Sequence, residues 1–267
     1  MESKFYNINN CQLHYQEAGY GSRLLVAFHG YGNTSYLFEP FIPFLEKEYK
    51  IIAVDLPYHH LSEWDDSILS LQDLTQFIDD IRTFYHVEKI DLMGYSIGGR
   101  VCLSLLPHCK GKVNHCIVIA SDGLKFNLIY YFITSTTLGK IIFENFTTNL
   151  FYVRLIKLLH QLKFINEKKY KFYLSYISKQ KDRQLLYRRW MNLSKFLPDY
   201  NSIHKTSLES ELKISLVMGK YDTIIPIKKG ESFIKKVPRA KMYIVPKGHR
   251  IFDHDTIPFI TKLLMQP

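Results

Sequence analysis

The feature that most constrains this chain is a repeated alternation of short apolar runs with segments of helical period. Residues 24–28, 51–54, 90–93 and 116–120 are apolar along almost their whole length. A strand that is apolar on both faces is covered on both faces, which points to a mostly parallel sheet with helices above and below. Between the second and third runs, Leu71, Leu74, Phe77, Ile78, Ile81 and Phe84 recur at mostly three-residue spacing. That spacing makes an amphipathic helix, with Ser70 as its N-cap and Asp73 completing an acidic capping box. Further helices are expected over 38–45, interrupted by Pro40 and Pro43, and over 97–106. Residues 5–18 are expected to add one or two strands, as a hairpin.

The alternation stops at residue 124 and resumes after 205. Strands are expected at 214–218 and 242–245, with helices at 228–237 and 257–265. The economical organisation is an α/β core in two parts, 1–123 and 206–267, with a helical subdomain inserted at 124–205. The N-terminus lacks the apolar stretch and small-residue cleavage site of a secretory signal, and no run of 18 apolar residues exists. Cys11, Cys102, Cys109 and Cys116 form no C-x-x-C pair and are expected to be buried thiols. A cytoplasmic location follows as the expectation.

Three motifs carry chemistry. Gly94-Tyr95-Ser96-Ile97-Gly98 matches G-x-S-x-G between an expected strand and an expected helix. A serine at the apex of such a turn stands at the carboxyl edge of the sheet, above a helix N-terminus that favours negative charge. His29-Gly30-Tyr31-Gly32 follows the first central strand. The backbone N–H of Tyr31, with that of Ile97, is expected to form an oxyanion hole. A serine hydroxyl needs a base and an acid that orients it. His249 and Asp222 each close a strand, on the same edge as Ser96, and the order Ser96, Asp222, His249 suits that chemistry. Asp122, at another strand end, competes for the acid role. His254 competes for the base role but is expected to lie in the last helix.

With these residues in view, the chain resembles the α/β-hydrolase superfamily, in its capped carboxylesterase-like branch. The resemblance covers both core segments and rests on H-G-x-G at 29–32, G-x-S-x-G-G at 94–99, the D-x-x-x-P run from Asp222 to Pro226, and Gly248-His249. It implies a triad of Ser96, Asp222 and His249, the oxyanion-hole role for Tyr31 and Ile97, and a helical cap over the pocket. It implies neither metal nor organic cofactor. Tyr95, Trp64 and Tyr130 are expected on the substrate side. The implied activity is cleavage of an ester or thioester with an apolar acyl or aryl part. Acyl transfer and slow-turnover ligand binding on the same fold are alternatives, and a basic membrane-surface or nucleic-acid-binding module, which would need no Ser96, is one of a different class. One departure stands out: relatives often read D-x-P-G-H-G-x-S where this chain reads Asp55-Leu56-Pro57-Tyr58-His59-His60-Leu61-Ser62. With both glycines replaced, that loop takes a different path or bears strain.

The formal net charge is +10, which invites a nucleic-acid reading. The charge is local, however. Residues 124–205 hold 15 Lys/Arg against 4 Asp/Glu, and 17 of the 39 Trp, Tyr and Phe of the chain. The rest is nearly neutral, and no nucleic-acid-binding motif is present. A basic, aromatic insert fits a solvated outer face, or an anionic partner such as an acyl carrier protein or a membrane surface. Arg183, Arg188 and Arg189 are taken as representatives of its basic face.

Overall fold

A computed structural model describes residues 1–266, without the side chains at 168, 169, 172, 173 and 175. The chain divides into two compact units. One comprises Met1–Asp65, Leu69–Phe126 and the chain from Phe196 onward; the other comprises Asp66–Ile68 and Asn127–Lys195.

The first unit is built on an eight-stranded sheet, β1 (Glu2–Ile8), β2 (Cys11–Ala18), β3 (Arg23–Phe28), β4 (Tyr49–Val54), β5 (Ile90–Tyr95), β6 (Val113–Ile119), β7 (Lys213–Gly219) and β8 (Lys241–Val245). Its order is β1-β2-β4-β3-β5-β6-β7-β8. The hairpin β1–β2 is antiparallel and joins β4 antiparallel; every pairing from β4 to β8 is parallel. The helices of this unit are α1 (Ile42–Leu45), α2 (Leu71–Phe84), α3 (Ile97–Leu105), α9 (Tyr200–Glu209), α10 (Ile227–Lys236) and α11 (Thr256–Met265). The central strands are buried along almost their whole length, as continuous apolar runs require. Alternate strand residues, among them Leu25, Ala27, Ile51, Ala53, Ile117 and Val217, share one core with Phe38, Phe41 and Leu45 and with Ile257, Ile260 and Leu264 of α11.

Local chemistry sets several boundaries. The Ser70 hydroxyl accepts from the Asp73 N–H at 3.0 Å, and Asp73 Oδ2 accepts from the Ser70 N–H at 2.9 Å, so the capping box is complete. The expected helix over 38–45 is instead a tight 3-10 helix over Ser35–Phe41 followed by the single turn of α1. Proline is tolerated only in the first turn of an α-helix, so the α geometry begins with Pro43 near its start. The last helix begins at Thr256, and His254 lies before it. Asp253 Oδ1 accepts from the N–H groups of Asp255 and Thr256 there, at 3.1 and 3.0 Å.

The second unit holds α4 (Leu128–Ser135), α5 (Thr137–Thr148), α6 (Leu150–Gln161), α7 (Glu167–Ile177) and α8 (Gln180–Asn192). Asn127, Thr136 and Asn149 each cap the helix that follows, accepting from Tyr130, Gly139 and Phe151. α9, which begins inside the expected insert of 124–205 and runs past its end, belongs to the sheet unit, where it buries Ile203, Thr206 and Ser207. Arg183 is not a surface residue. It is fully buried, donating from Nε to the Thr147 carbonyl at 2.8 Å and from Nη1 to the Ile177 carbonyl at 2.9 Å. Its charge therefore serves the interior of this unit. Among the described residues no helix is long and apolar enough to cross a membrane. The four cysteines are buried and form no disulfide with one another, and burial raises the thiols of Cys102 and Cys109, the latter to about 11.

Candidate active site

Ser96 sits between the last residue of β5 and the first of α3, at φ 52° and ψ −114°. This backbone region is strained for any residue but glycine, at about 1–3 kcal/mol. Backbone hydrogen bonds hold it: its N–H donates to the Ile119 carbonyl at 2.9 Å, and its carbonyl accepts from the N–H groups of Asp122 at 2.9 Å and Gly99 at 3.1 Å. The flanking glycines are there for close approach. A Cβ on Gly94 would lie 2.5 Å from the Gly98 carbonyl oxygen, and one on Gly98 would lie 2.0 Å from that of Phe28. Strand and helix therefore meet with no room for a side chain at either position.

His249 follows β8. Its Nε2 lies 3.2 Å from Ser96 Oγ and its Nδ1 lies 2.8 Å from Asp222 Oδ2. The carboxylate accepts a hydrogen bond from Nδ1–H, which leaves Nε2 to accept from the serine hydroxyl. Asp222 is buried, and its second oxygen accepts from the N–H groups of Ile224 and Ile225, both at 2.8 Å. Three hydrogen bonds fix that carboxylate, two of them from the D-x-x-x-P turn. Asp122 is turned elsewhere, pairing with the buried Arg100 at 3.3 Å. His254 is in solvent beside Asp255. The structure thus brings Ser96, His249 and Asp222 together and leaves both competitors apart.

Tyr31 lies in the loop after β3, and Ile97 opens α3, where the first N–H groups have no partner within the helix. Two histidines to which the motifs assign no role of their own, His29 and His59, stand in the loops that follow β3 and β4. His29 donates from Nδ1 to the Gly30 carbonyl at 2.8 Å, and its Nε2 accepts from the Leu56 N–H at 3.0 Å. His59 donates from Nδ1 to the Pro57 carbonyl at 2.9 Å, and its Nε2 accepts from the Gly32 N–H at 3.3 Å. Each ring is anchored on its own loop and accepts from the backbone of the other loop. Both are buried, and their centroids are 4.7 Å apart. The arrangement needs both imidazoles neutral, since a protonated Nε2 would face a backbone N–H with a second proton.

The loop from 55 to 62 resolves the question its missing glycines raise. Tyr58 has φ 60° and His60 has φ 46°, both left-handed, so the larger residues bear the strain. His60 gains a contact there. Its Nδ1 lies 3.0 Å from Asp55 Oδ2, which also accepts from His14 Nδ1 at 2.6 Å and Ser35 Oγ at 3.0 Å. Asp55 Oδ1 accepts from the Ser35 N–H at 2.6 Å. His14, Asp55 and His60 offer three metal-type atoms within 4.8 Å of one another. Four donors already occupy the carboxylate, however, so the cluster reads as a hydrogen-bonded hub.

The residues expected on the substrate side have distinct places. Tyr95 is buried, its ring beside those of His249 and Phe252, and its hydroxyl donates to the His249 carbonyl at 3.0 Å. It holds the backbone of the histidine. Trp64 is half-buried next to Glu63, which bridges to Gln12. Tyr130 belongs to the helical unit, where its hydroxyl donates to the carbonyls of Leu193 at 3.0 Å and Trp190 at 3.2 Å.

An eight-stranded sheet with a strained serine at its carboxyl edge defines a class, and comparison bears it out. The chain belongs to the alpha/beta hydrolase fold family, whose model matches residues 23–255. It is 32% identical over 111 residues to the uncharacterized hydrolase YugF of Bacillus subtilis. It is 33% identical over 110 residues to a pimeloyl-[acyl-carrier protein] methyl ester esterase of Legionella pneumophila. These matches span 41% of the chain and only 40% and 42% of those two relatives. Among solved structures, a carboxylesterase study from Nitrososphaera gargenis gives a TM-score of 0.67 at 15% identity, covering 98% of this chain and 97% of that one. The 2-hydroxy-6-oxo-6-phenylhexa-2,4-dienoate hydrolase of Rhodococcus sp. strain RHA1 gives 0.67 at 17%, covering 99% of both chains. At such identities the likeness is one of fold.

Proposed function

We propose that the chain is a serine hydrolase that cleaves a carboxylic ester or thioester with an apolar acyl or aryl part. The observation that carries this reading is the hydrogen-bonded series Ser96 Oγ, His249 Nε2, His249 Nδ1 and Asp222 Oδ2. Ser96 Oγ attacks the carbonyl carbon as His249 Nε2 takes the hydroxyl proton, and Asp222 stabilises the imidazolium. The N–H groups of Tyr31 and Ile97 receive the tetrahedral oxyanion, each worth ~2.7–4 kcal/mol in the transition state. The intermediate collapses, His249 returns its proton to the leaving alcohol or thiol, and water repeats the sequence on the acyl-enzyme. The triad supplies nucleophile, base and orienting acid without a metal or organic cofactor.

The similarity to the Legionella esterases supports a carrier-bound acyl ester as one substrate to assay, and the basic surplus of residues 124–205 offers the charge an acidic carrier would meet. Four buried cysteines kept as thiols support a reducing compartment, the cytosol. The test is a chain-length panel of free and carrier-bound esters, assayed with wild type and Ser96→Ala. The proposal expects the variant to lose at least about 10⁴-fold in kcat on every substrate cleaved. Equal turnover by the two proteins would end the hydrolase reading.

A further inference from the structure

We propose that the outward apolar side of α4, α5 and α6 is a docking face for a bilayer surface containing anionic phospholipid. The observation is independent of the triad and lies within the helical unit alone. On α6 and just beyond it, Phe151, Leu155, Leu158 and Leu162 recur at three- and four-residue spacing, and all four are exposed. A stripe of that spacing normally faces a core. Here the only fully buried position of the helix is Val153. α5 repeats the pattern, with Leu138, Ile141 and Ile142 exposed while Gly139, Phe143 and Thr147 face inward. On α4, Leu128 is 70% and Ile129 74% exposed. An apolar surface on three consecutive helices, with no partner among the described residues, marks an interaction site.

Charge selects the occupant. Lys140, Arg154, Lys157 and Lys163 are interspersed along these helices, and Glu144 is the one acidic residue between 124 and 166. On α6, Arg154, Lys157 and Gln161 run at helical spacing beside the apolar stripe. A helix with leucine and phenylalanine on one side and Lys/Arg beside them enters the boundary between headgroups and acyl chains, where its cations meet phosphate. An acidic protein would call for clustered cations, whereas here they are spaced along a surface dominated by aliphatic side chains. With no helix able to span, the association is peripheral. It would bring the hydrolase unit to esters of amphiphiles dissolved in the bilayer.

Sedimentation of the full chain with phosphatidylcholine vesicles, with and without phosphatidylglycerol, tests this. We expect partitioning to be on the order of tenfold or more stronger with the anionic lipid, and weaker in high salt. Substituting Phe151→Glu, Leu155→Glu and Leu158→Glu together should abolish it. So should the uncharged set Phe151→Ser, Leu155→Ser and Leu158→Ser, since these side chains already face water and the fold, checked by circular dichroism, does not depend on them. Ser96→Ala should bind as wild type, which separates failure of this proposal from failure of the hydrolase reading. Absence of binding, equal binding to neutral vesicles, or binding unchanged in both triple variants would overturn it. So would a dimer that the triple substitutions dissociate while vesicles capture neither form.

Discussion

The two units spend their side chains differently. In the sheet unit the central strands and the last helix enclose one apolar core, and the carboxylates and imidazoles at the strand ends are tied by several hydrogen bonds. Asp222 has three donors, Asp55 has four, and His29 and His59 each donate once and accept once. In the helical unit aliphatic side chains face outward, while an arginine occupies the interior. Buried hydrogen-bonded networks hold a unique geometry, which a reaction needs. Exposed apolar helices sacrifice burial for contact with something else. One unit fixes the positions of its polar groups, and the other leaves apolar side chains open to solvent.

The largest expected effect tests the matching of Asp222. Asp222→Asn should lower kcat by about 10⁴-fold, because the amide favours the wrong imidazole tautomer. Asp122→Asn, which affects only the pairing with Arg100, should leave kcat within about tenfold of wild type. Comparable kcat losses in the two variants would remove the distinction between the catalytic and structural carboxylates.

Arg183→Ala probes the interior of the other unit. It leaves buried carbonyls of Thr147 and Ile177 without their donor, at a cost of about 3 kcal/mol. Urea unfolding should show the loss, and limited proteolysis should first cut between 127 and 195. Unchanged stability would return Arg183 to the surface role first assigned to it.

A third effect belongs to the sheet. Burial depresses His115 to about 4, where its Nε2 meets Ser215 Oγ at 2.9 Å. A histidine whose folded pKa lies below its unfolded value contributes its full stability above pH ~6.5 and loses it as pH falls toward 4. The expected loss is about 2–3 kcal/mol over that window, read as a shift in urea midpoint. His115→Asn should show less of this shift. An identical acid profile in the variant would move the sensitivity elsewhere. The smallest effect concerns strain: Tyr58→Gly relieves a left-handed φ but loses the hydrogen bond from the Tyr58 hydroxyl to the Asp65 carbonyl, so stability, measured as Tm, should change by less than about 1 kcal/mol.

The sheet was legible because continuous apolar runs leave few alternatives, and the meeting of Ser96, Asp222 and His249 was legible because each sits at a strand end. The motif at 94–98 identified the sharp turn, and the strained φ of Ser96 is its structural counterpart. His29 and His59 were harder to see. Their work is done on backbone groups of loops distant in sequence, which no local pattern records. The replaced glycines at 58 and 60 drew attention away from the histidine between them. The 3-10 helix was missed because the two prolines were read as interruptions of an α-helix. In the helical unit, periodicity located amphipathic faces but not which way they point. A leucine stripe reads the same whether it faces a core or water, and Arg183 reads like any other basic residue.

The central claim is that Ser96 is a nucleophile prepared by His249. Incubating the chain with a fluorophosphonate and mapping the adduct by peptide mass spectrometry tests it most directly. The account predicts one stoichiometric adduct on Ser96, lost in Ser96→Ala and slowed at least about 10³-fold in His249→Ala. An unmodified Ser96, or labelling at the same rate without His249, would contradict it.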